Sequence, residues 1–261
     1  MISKEDHTGQ FMRGLPFFKG LPDADLDVFM QAAHIRDYHK HQHIYMQGDS
    51  ADNFFVVLSG WIKLCRQTVE GEEAVAQVLG RGDIFGEGAA VFGGSTYLFS
   101  VEAAESARVI EIPGSVLKER AKTNYDILAR VMNSLSRKMQ GFYLENEHMA
   151  LMSAPQRAGC LLLQLSSNMI GKGGTFSFPY DKSLAAARLG MKPETFSRAL
   201  LQLKSAGVTS KGPEIHVENF QRLAAYCCGN CSAEKGECKG AALKNLGESP
   251  CADKKVQCGR F

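Results

Sequence analysis

The chain has 261 residues, 44% of them apolar, and its 30 Lys and Arg nearly balance 28 Asp and Glu, for a net charge of +2 and a pI of about 8.1. That length suits two modest domains, each with its own core, and so even a charge balance gives no general signal for nucleic acid, so any such contact has to come from local clustering. No apolar run reaches the ~18 residues of a membrane span, and the opening MISKEDHTGQF lacks the apolar stretch of a signal peptide, which predicts a cytoplasmic protein with no membrane partner, in a compartment where disulfides are uncommon.

Residues 11–30, FMRGLPFFKGLPDADLDVFM, predict a short helix led in by Leu21-Pro22-Asp23. From Ala33 to Ile112 the pattern turns to strands. Short apolar runs (Phe54 to Leu58, Ala74 to Leu79, Arg108 to Ile112) are separated by the turns Gln47-Gly48-Asp49, Leu58-Ser59-Gly60 and Gly80-Arg81-Gly82-Asp83. This spacing suits a small antiparallel roll or barrel. Within it His39, His41 and His43 alternate, which on a strand puts them on one face. Imidazole is a common metal ligand; the alternative is a solvated polar face.

Residues 124–152 form one long helical pattern. Leu128, Met132, Leu135, Met139, Phe142, Asn146 and Met149 recur by four and three, a heptad seam held for about three repeats, which argues for a dimeric coiled coil. The polar Asn146 at an a-type position favours one register. The alternative is a helix packed on its own barrel. Ser153-Ala154-Pro155 then breaks the pattern as a hinge. Arg157 to Met169 predicts a buried helix, and Thr175 to Phe178 a strand.

Asp181 to Gly207, DKSLAAARLGMKPETFSRALLQLKSAG, reads as two short helices joined by a tight turn. The first spans about Lys182 to Leu189 with Leu184, Ala187 and Leu189 as its apolar face, and Gly190 supplies its left-handed cap. Pro193 opens the second, which runs to about Ser205 and stops at Gly207. Phe196, Leu200 and Leu203 face inward at i, i+4 and i+7. Glu194, Ser197 and Arg198 share the opposite face near the helix N-terminus, where a helix-turn-helix places its base-reading residues. Arg can grip guanine O6 and N7, Glu can accept from cytosine N4, and Ser serves either kind of edge. Lys182, Arg188, Lys192, Arg198, Lys204 and Lys211 supply the local basic cluster. Val208 to Val217, turning at Gly212-Pro213, predicts a wing hairpin, and Glu218 to Tyr226 closes the domain.

LGMKPETFSRALLQL resembles the recognition helix of the Crp/Fnr superfamily of bacterial transcription regulators, and its E-T-F-S-R is closest to the Fnr and Dnr branches. LPFFKGLP resembles that superfamily's opening, and QGDSADNFFVVLSG and GRGDIFGEGAAVF resemble its cyclic-nucleotide-binding β-roll. The resemblance covers roughly residues 14–226. It implies an α+β fold, with an N-terminal cyclic-nucleotide-binding-type β-roll (1–123), a long dimerisation helix (124–152) and a C-terminal winged helix-turn-helix (153–226), followed by a cysteine-rich tail (227–261). It also implies a homodimer that binds double-stranded DNA and contacts RNA polymerase, with Lys192, Glu194, Thr195, Ser197, Arg198, Lys204 and Lys211 at the DNA and a site close to TTGAT-N4-ATCAA. No nucleophile–base pair, Walker loop or paired-carboxylate site emerges, so a non-enzyme is expected.

Members that bind cyclic AMP hold its ribose with a Gly-Glu pair and its phosphate with an Arg-Ser pair about ten residues on. Gly86-Glu87 is present, but the later positions are about Tyr97 and Leu98, and Ser95 to Val101, STYLFSV, has no Arg or Lys. This argues against cyclic AMP and makes Glu87 a structural residue of the barrel turn. No cysteine precedes Cys65, so the N-terminal iron–sulfur site of the Fnr branch is absent. The Dnr branch implies haem and nitric oxide, for which His34, His39, His41, His43, Met46 and Cys65 are the candidate ligands. Resemblance stops at about Tyr226. Beyond it Cys227, Cys228, Cys231, Cys238, Cys251 and Cys258 read CC-x2-C-x6-C-x12-C-x6-C in a segment too poor in large apolar residues to build a core. Thiolates at C-x2-C spacing can reach one ion, and four would suit zinc or an iron–sulfur cluster; a disordered tail of ordinary thiols is the alternative. The expected signal is therefore redox, metal or gas, with a haem-based gas sensor as one rival and a metal- or thiol-handling protein acting through the tail as another.

Overall fold

Phe54 to Leu58 is apolar at every position because both of its faces are covered. In the computed structural model, which describes residues 7–67, 70, 73–92, 96–166 and 173–227, these residues lie in a strand between two cores. Phe54, Val56 and Leu58 point to one core, and Phe55 and Val57 to the other, as the two-residue period of a strand requires. The elements of this N-terminal part are α1 (His7–Gly14), α2 (Asp23–Ala32), β1 (His34–Tyr38), β2 (His43–Tyr45), β3 (Asn53–Ser59), β4 (Ile62–Gln67), β5 (Glu73–Leu79), β6 (Ile84–Phe85), α3 (Glu87–Phe92), β7 (Ser100–Ala103), β8 (Ala107–Pro113) and α4 (Gly114–Thr123). They lead into the long α5 (Tyr125–Leu151).

The strands form two antiparallel sheets, ordered β1-β8-β3-β6 and β2-β7-β4-β5. The core between the sheets is rich in aromatic rings. The second core lies between the first sheet and the helices, and takes in Phe17, Phe18, Phe29 and, from α5, Ile127 and Val131. The single helix expected over residues 11–30 is two, α1 and α2. Between them Leu15 to Leu21 turns back on itself, with Gly20 at φ 77° and Pro22 preceding α2. The histidine alternation does not lie on one strand. β1 ends at Tyr38, and His41 takes a left-handed φ of 67° in the turn before β2.

The C-terminal part contains α6 (Ala154–Leu165), β9 (Gly174–Ser177), α7 (Lys182–Arg188), α8 (Pro193–Gln202), a short 3-10 turn (Leu203–Ala206), β10 (Val208–Lys211), β11 (Glu214–Val217) and α9 (Phe220–Cys227). The strands form an antiparallel sheet ordered β10-β11-β9. Ser153 and Gln156 form a capping box that starts α6, satisfying backbone donors that a helix start leaves unpaired. Chain contacts divide the protein into two compact units between Lys138 and Met139, inside α5. Among the described residues no helix is long and apolar enough to cross a membrane.

Candidate nucleic-acid interface and the interior of the roll

Two glycines in left-handed conformation mark the ends of the two helices. Gly190 (φ 62°) follows α7, and Gly207 (φ 81°) ends the 3-10 turn after α8. Pro193 sits in the first turn of α8. Phe196, Ala199, Leu200 and Leu203 are buried, as expected for three of them, and Phe196 meets Phe178 edge to face at 6.1 Å. On α7 the buried positions are Ala185 and Ala186, while Leu184, Ala187 and Leu189 are only half-buried. The inward side of α7 is thus turned from the expected one and is made of its smallest side chains. Behind α8, α6 and α9 meet at Gly159. A Cβ there would run into Cys227 Sγ and come within 3.1 Å of Leu223 Cδ1.

This packing leaves one side of α8 in solvent: Glu194, Thr195, Ser197, Arg198, Leu201 and Gln202 are all exposed. Lys192 precedes the helix, Lys204 follows it, and Lys211 stands at the end of β10; all three are exposed. Lys182 Nζ donates to Ser210 Oγ at 2.7 Å, tying the start of α7 to the hairpin, and its burial lowers its pKa from the ordinary lysine value. Glu194 and Arg198 make no ion pair among the described residues. The surface is therefore a helix face with a carboxylate, a hydroxyl and a guanidinium free to engage a partner, with lysines beside it.

The long helix uses two faces. Ile127 and Val131 are fully buried in the roll's own core, and Leu135 packs against that core and beside Gly88. Leu135, expected at the heptad seam, therefore faces its own roll at least in part. Leu128 is half-buried, whereas Met132, Met139, Phe142, Asn146 and Met149 are exposed.

Inside the roll, the stretch around Tyr97 packs among aromatic rings. Tyr97 stacks on Tyr45 with centroids 3.6 Å apart, and Phe55 stacks on Phe85 at 4.8 Å. Tyr97 Oη donates to the Asn53 carbonyl at 2.7 Å and accepts from the Asn53 N–H at 3.1 Å, while Leu98 is exposed. Burial pushes the Tyr97 phenol up to about 12. Glu87 is only 1% exposed, and it is not confined to the barrel turn. It opens α3 and accepts hydrogen bonds from Ser134 Oγ at 2.8 Å and Lys138 Nζ at 2.5 Å, both on α5. Ser134 and Lys138 lie 47 and 51 residues away, so no local pattern announces them. The Glu87 carboxylate and the Tyr97 ring are thus each already engaged within the roll.

The candidate haem ligands differ in exposure. His34, His39, His41, His43 and Met46 are exposed, while Cys65 is buried and its thiol is pushed up to about 12 by burial and by Glu73. His41 Nδ1 and His43 Nε2 lie 2.9 and 3.9 Å from the Glu102 carboxylate, but Lys63 Nζ is 3.3 Å from the same carboxylate. Of the six tail cysteines, Cys227 is fully buried against α6 and serves packing there. Cys228, Cys231, Cys238, Cys251 and Cys258 lie outside the described residues.

Comparison with known proteins places names on both units. A cyclic nucleotide-binding domain profile matches residues 35–124, and a Crp-like helix-turn-helix domain profile matches residues 156–226. The Cyclic AMP receptor protein of Thermus thermophilus is 29% identical over 210 residues, 77% of this chain and 91% of that protein. The Transcriptional activator protein anr of Pseudomonas aeruginosa is 26% identical over 223 residues, 82% and 88% of the two chains. A solved structure from Ruegeria pomeroyi, provisionally assigned as a cyclic nucleotide binding protein, is 32% identical, covers 84% of this chain and 96% of its own, and has a TM-score of 0.62. FixK2 from Bradyrhizobium japonicum, 21% identical over 77% of this chain and 98% of its own with a TM-score of 0.66, shares the fold.

Proposed function

The chain belongs to the Crp/Fnr family of DNA-binding transcription regulators, and from that premise we propose that it acts as a homodimer reading a near-palindromic site through Glu194, Ser197 and Arg198, under a signal other than cyclic AMP. The observation that carries this reading is the exposed polar face of α8, from which all three side chains are free to reach base edges. Lys192, Thr195, Lys204 and Lys211 flank that face and serve the phosphates, which position the protein without specifying sequence. In a TTGAT-N4-ATCAA site the G·C pair is where Arg198 and Glu194 converge. Two copies would place their α8 helices ~34 Å apart, one turn of DNA, with Met132, Met139, Phe142, Asn146 and Met149 at the seam. RNA polymerase is the further partner that family membership implies.

The aromatic filling of the roll supports an input that is not a cyclic nucleotide. Cys228, Cys231, Cys238, Cys251 and Cys258 offer thiolates for a metal or iron–sulfur centre, and Cys227 would have to leave its buried place to join them. For the haem reading, His41 and His43 do meet at Glu102, but that carboxylate is already shared with Lys63. Arg198→Ala, titrated against the palindrome and against a scrambled duplex at fixed salt, tests the proposal. Each good base contact is worth ~1–3 kcal/mol of discrimination, so the specific site should weaken by that much per half-site while scrambled DNA barely changes. Equal weakening of both would make Arg198 a phosphate contact only.

A further inference from the structure

Leu201 is a large aliphatic side chain in the middle of a polar surface. It is 60% exposed. It follows Glu194, Ser197 and Arg198 by seven, four and three residues, so on a helix it lies on the same stripe, between the lines of Ser197 and Arg198. Among the described residues, the other large apolar ones exposed in the C-terminal unit are on α5 or at Tyr226 near the end of α9. The core takes nothing from Leu201, since Phe196, Ala199, Leu200 and Leu203 already fill the inward face. A base edge offers such a side chain one partner in the major groove, the C5-methyl of thymine, which distinguishes T from C and makes no demand for a hydrogen bond.

We propose that Leu201 reads a thymine by burying its C5-methyl group, an apolar contact added to the polar readout by Glu194, Ser197 and Arg198. This rests on the DNA-binding reading of α8. The contact lies about two helical turns beyond Glu194, so the thymine belongs to the same half-site as the G·C pair but is displaced along the groove. It supplies selectivity that the charged residues cannot, because none of them senses a methyl group.

Replacing thymine by deoxyuridine removes that methyl and leaves every hydrogen-bonding group of the base in place. Wild type, Leu201→Ala and Arg198→Ala full-length proteins are titrated against the palindrome, or the half-site the wild type enriches from a random pool. Each thymine is replaced in turn by deoxyuridine, in both half-sites at once. Burial of one methyl is worth about a fourfold change in Kd, so wild type should lose about fifteenfold at one symmetric thymine position. Leu201→Ala should bind the unmodified site about that much more weakly and show no penalty at that position. Arg198→Ala should keep the deoxyuridine penalty while losing discrimination at the G·C pair. A wild type indifferent to deoxyuridine throughout, or a Leu201→Ala protein with the wild-type penalty, overturns the thymine contact and leaves the Arg198 readout standing. A wild type with no sequence preference at all removes both. Leu201 is solvent-exposed, so the alanine variant should melt like wild type; should it unfold, Leu201→Gln in the same titration decides between the same outcomes.

Discussion

Tyr97 shows how one side chain ties distant strands of the roll together. Its ring stacks on Tyr45, and its hydroxyl is held by both backbone groups of Asn53. The sequence makes the missing charge plain, since STYLFSV contains no Arg or Lys. It does not announce the stacking on Tyr45 or the engagement of Glu87 by Lys138, because both partners are distant along the chain and brought near only by folding. Burial raises the Tyr97 phenol from 10.0 to about 12 and the Cys65 thiol from 9.0 to about 12. Above pH 9 the unfolded chain therefore releases protons that the folded roll retains. The stability these groups contribute is complete below pH 9 and declines as pH rises towards 12. Thermal melts across that window should show the roll weakening. Tyr97→Phe should lower stability at neutral pH by ~1–2 kcal/mol through the lost hydrogen bonds and should make the alkaline decline shallower. A wild-type melt that does not move up to pH 11 would contradict the burial of both groups.

The helix α5 was legible as a helix and as an amphipathic one, but not as a helix with two apolar faces. A repeat of four and three marks one seam, and Met132, Met139, Phe142 and Met149 remain exposed on it. Ile127 and Val131 lie off that seam and anchor the helix to the roll, with Leu135 shared between the two directions. Periodicity alone gives the best single stripe and hides a second one when both are populated. The two faces make separable predictions. Val131→Ala should destabilise the roll by ~1–3 kcal/mol through the cavity it leaves without altering the oligomeric state. Phe142→Glu should leave the melting of the roll nearly unchanged and convert dimers to monomers in sedimentation velocity. Phe142→Glu protein that sediments as a dimer would remove this stripe from the interface. In α8, by contrast, one strong inward stripe and one polar stripe leave no such ambiguity. Its buried and exposed sides agree with the pattern of Phe196, Leu200 and Leu203 against Glu194, Ser197 and Arg198.

At the scale of the whole molecule, three of the cysteines belong to packing. Cys65, Cys160 and Cys227 are buried within the two units, the setting in which cysteines are inert. Gly159 owes its lack of a side chain to Cys227, whose sulfur lies where a Cβ would stand. Adjacency in the sequence placed Cys227 with the tail, but three-dimensional packing places it with the winged unit. A truncation that preserves that unit must therefore end after Cys227, since one ending at Tyr226 removes a fully buried side chain. The proposal that the five remaining cysteines carry a metal or iron–sulfur input makes a joint prediction. Anaerobically purified full-length protein should carry stoichiometric metal, lose it as pH falls and thiolates protonate, and change its DNA affinity on oxidation. The chain ending at Cys227 should fold, dimerise and bind the same palindrome, without metal and without an oxidant response, because only its buried thiols remain. Equal responses of the two proteins to oxidant, together with no metal in the longer one, would remove the tail as the input and return the question of the signal to the roll.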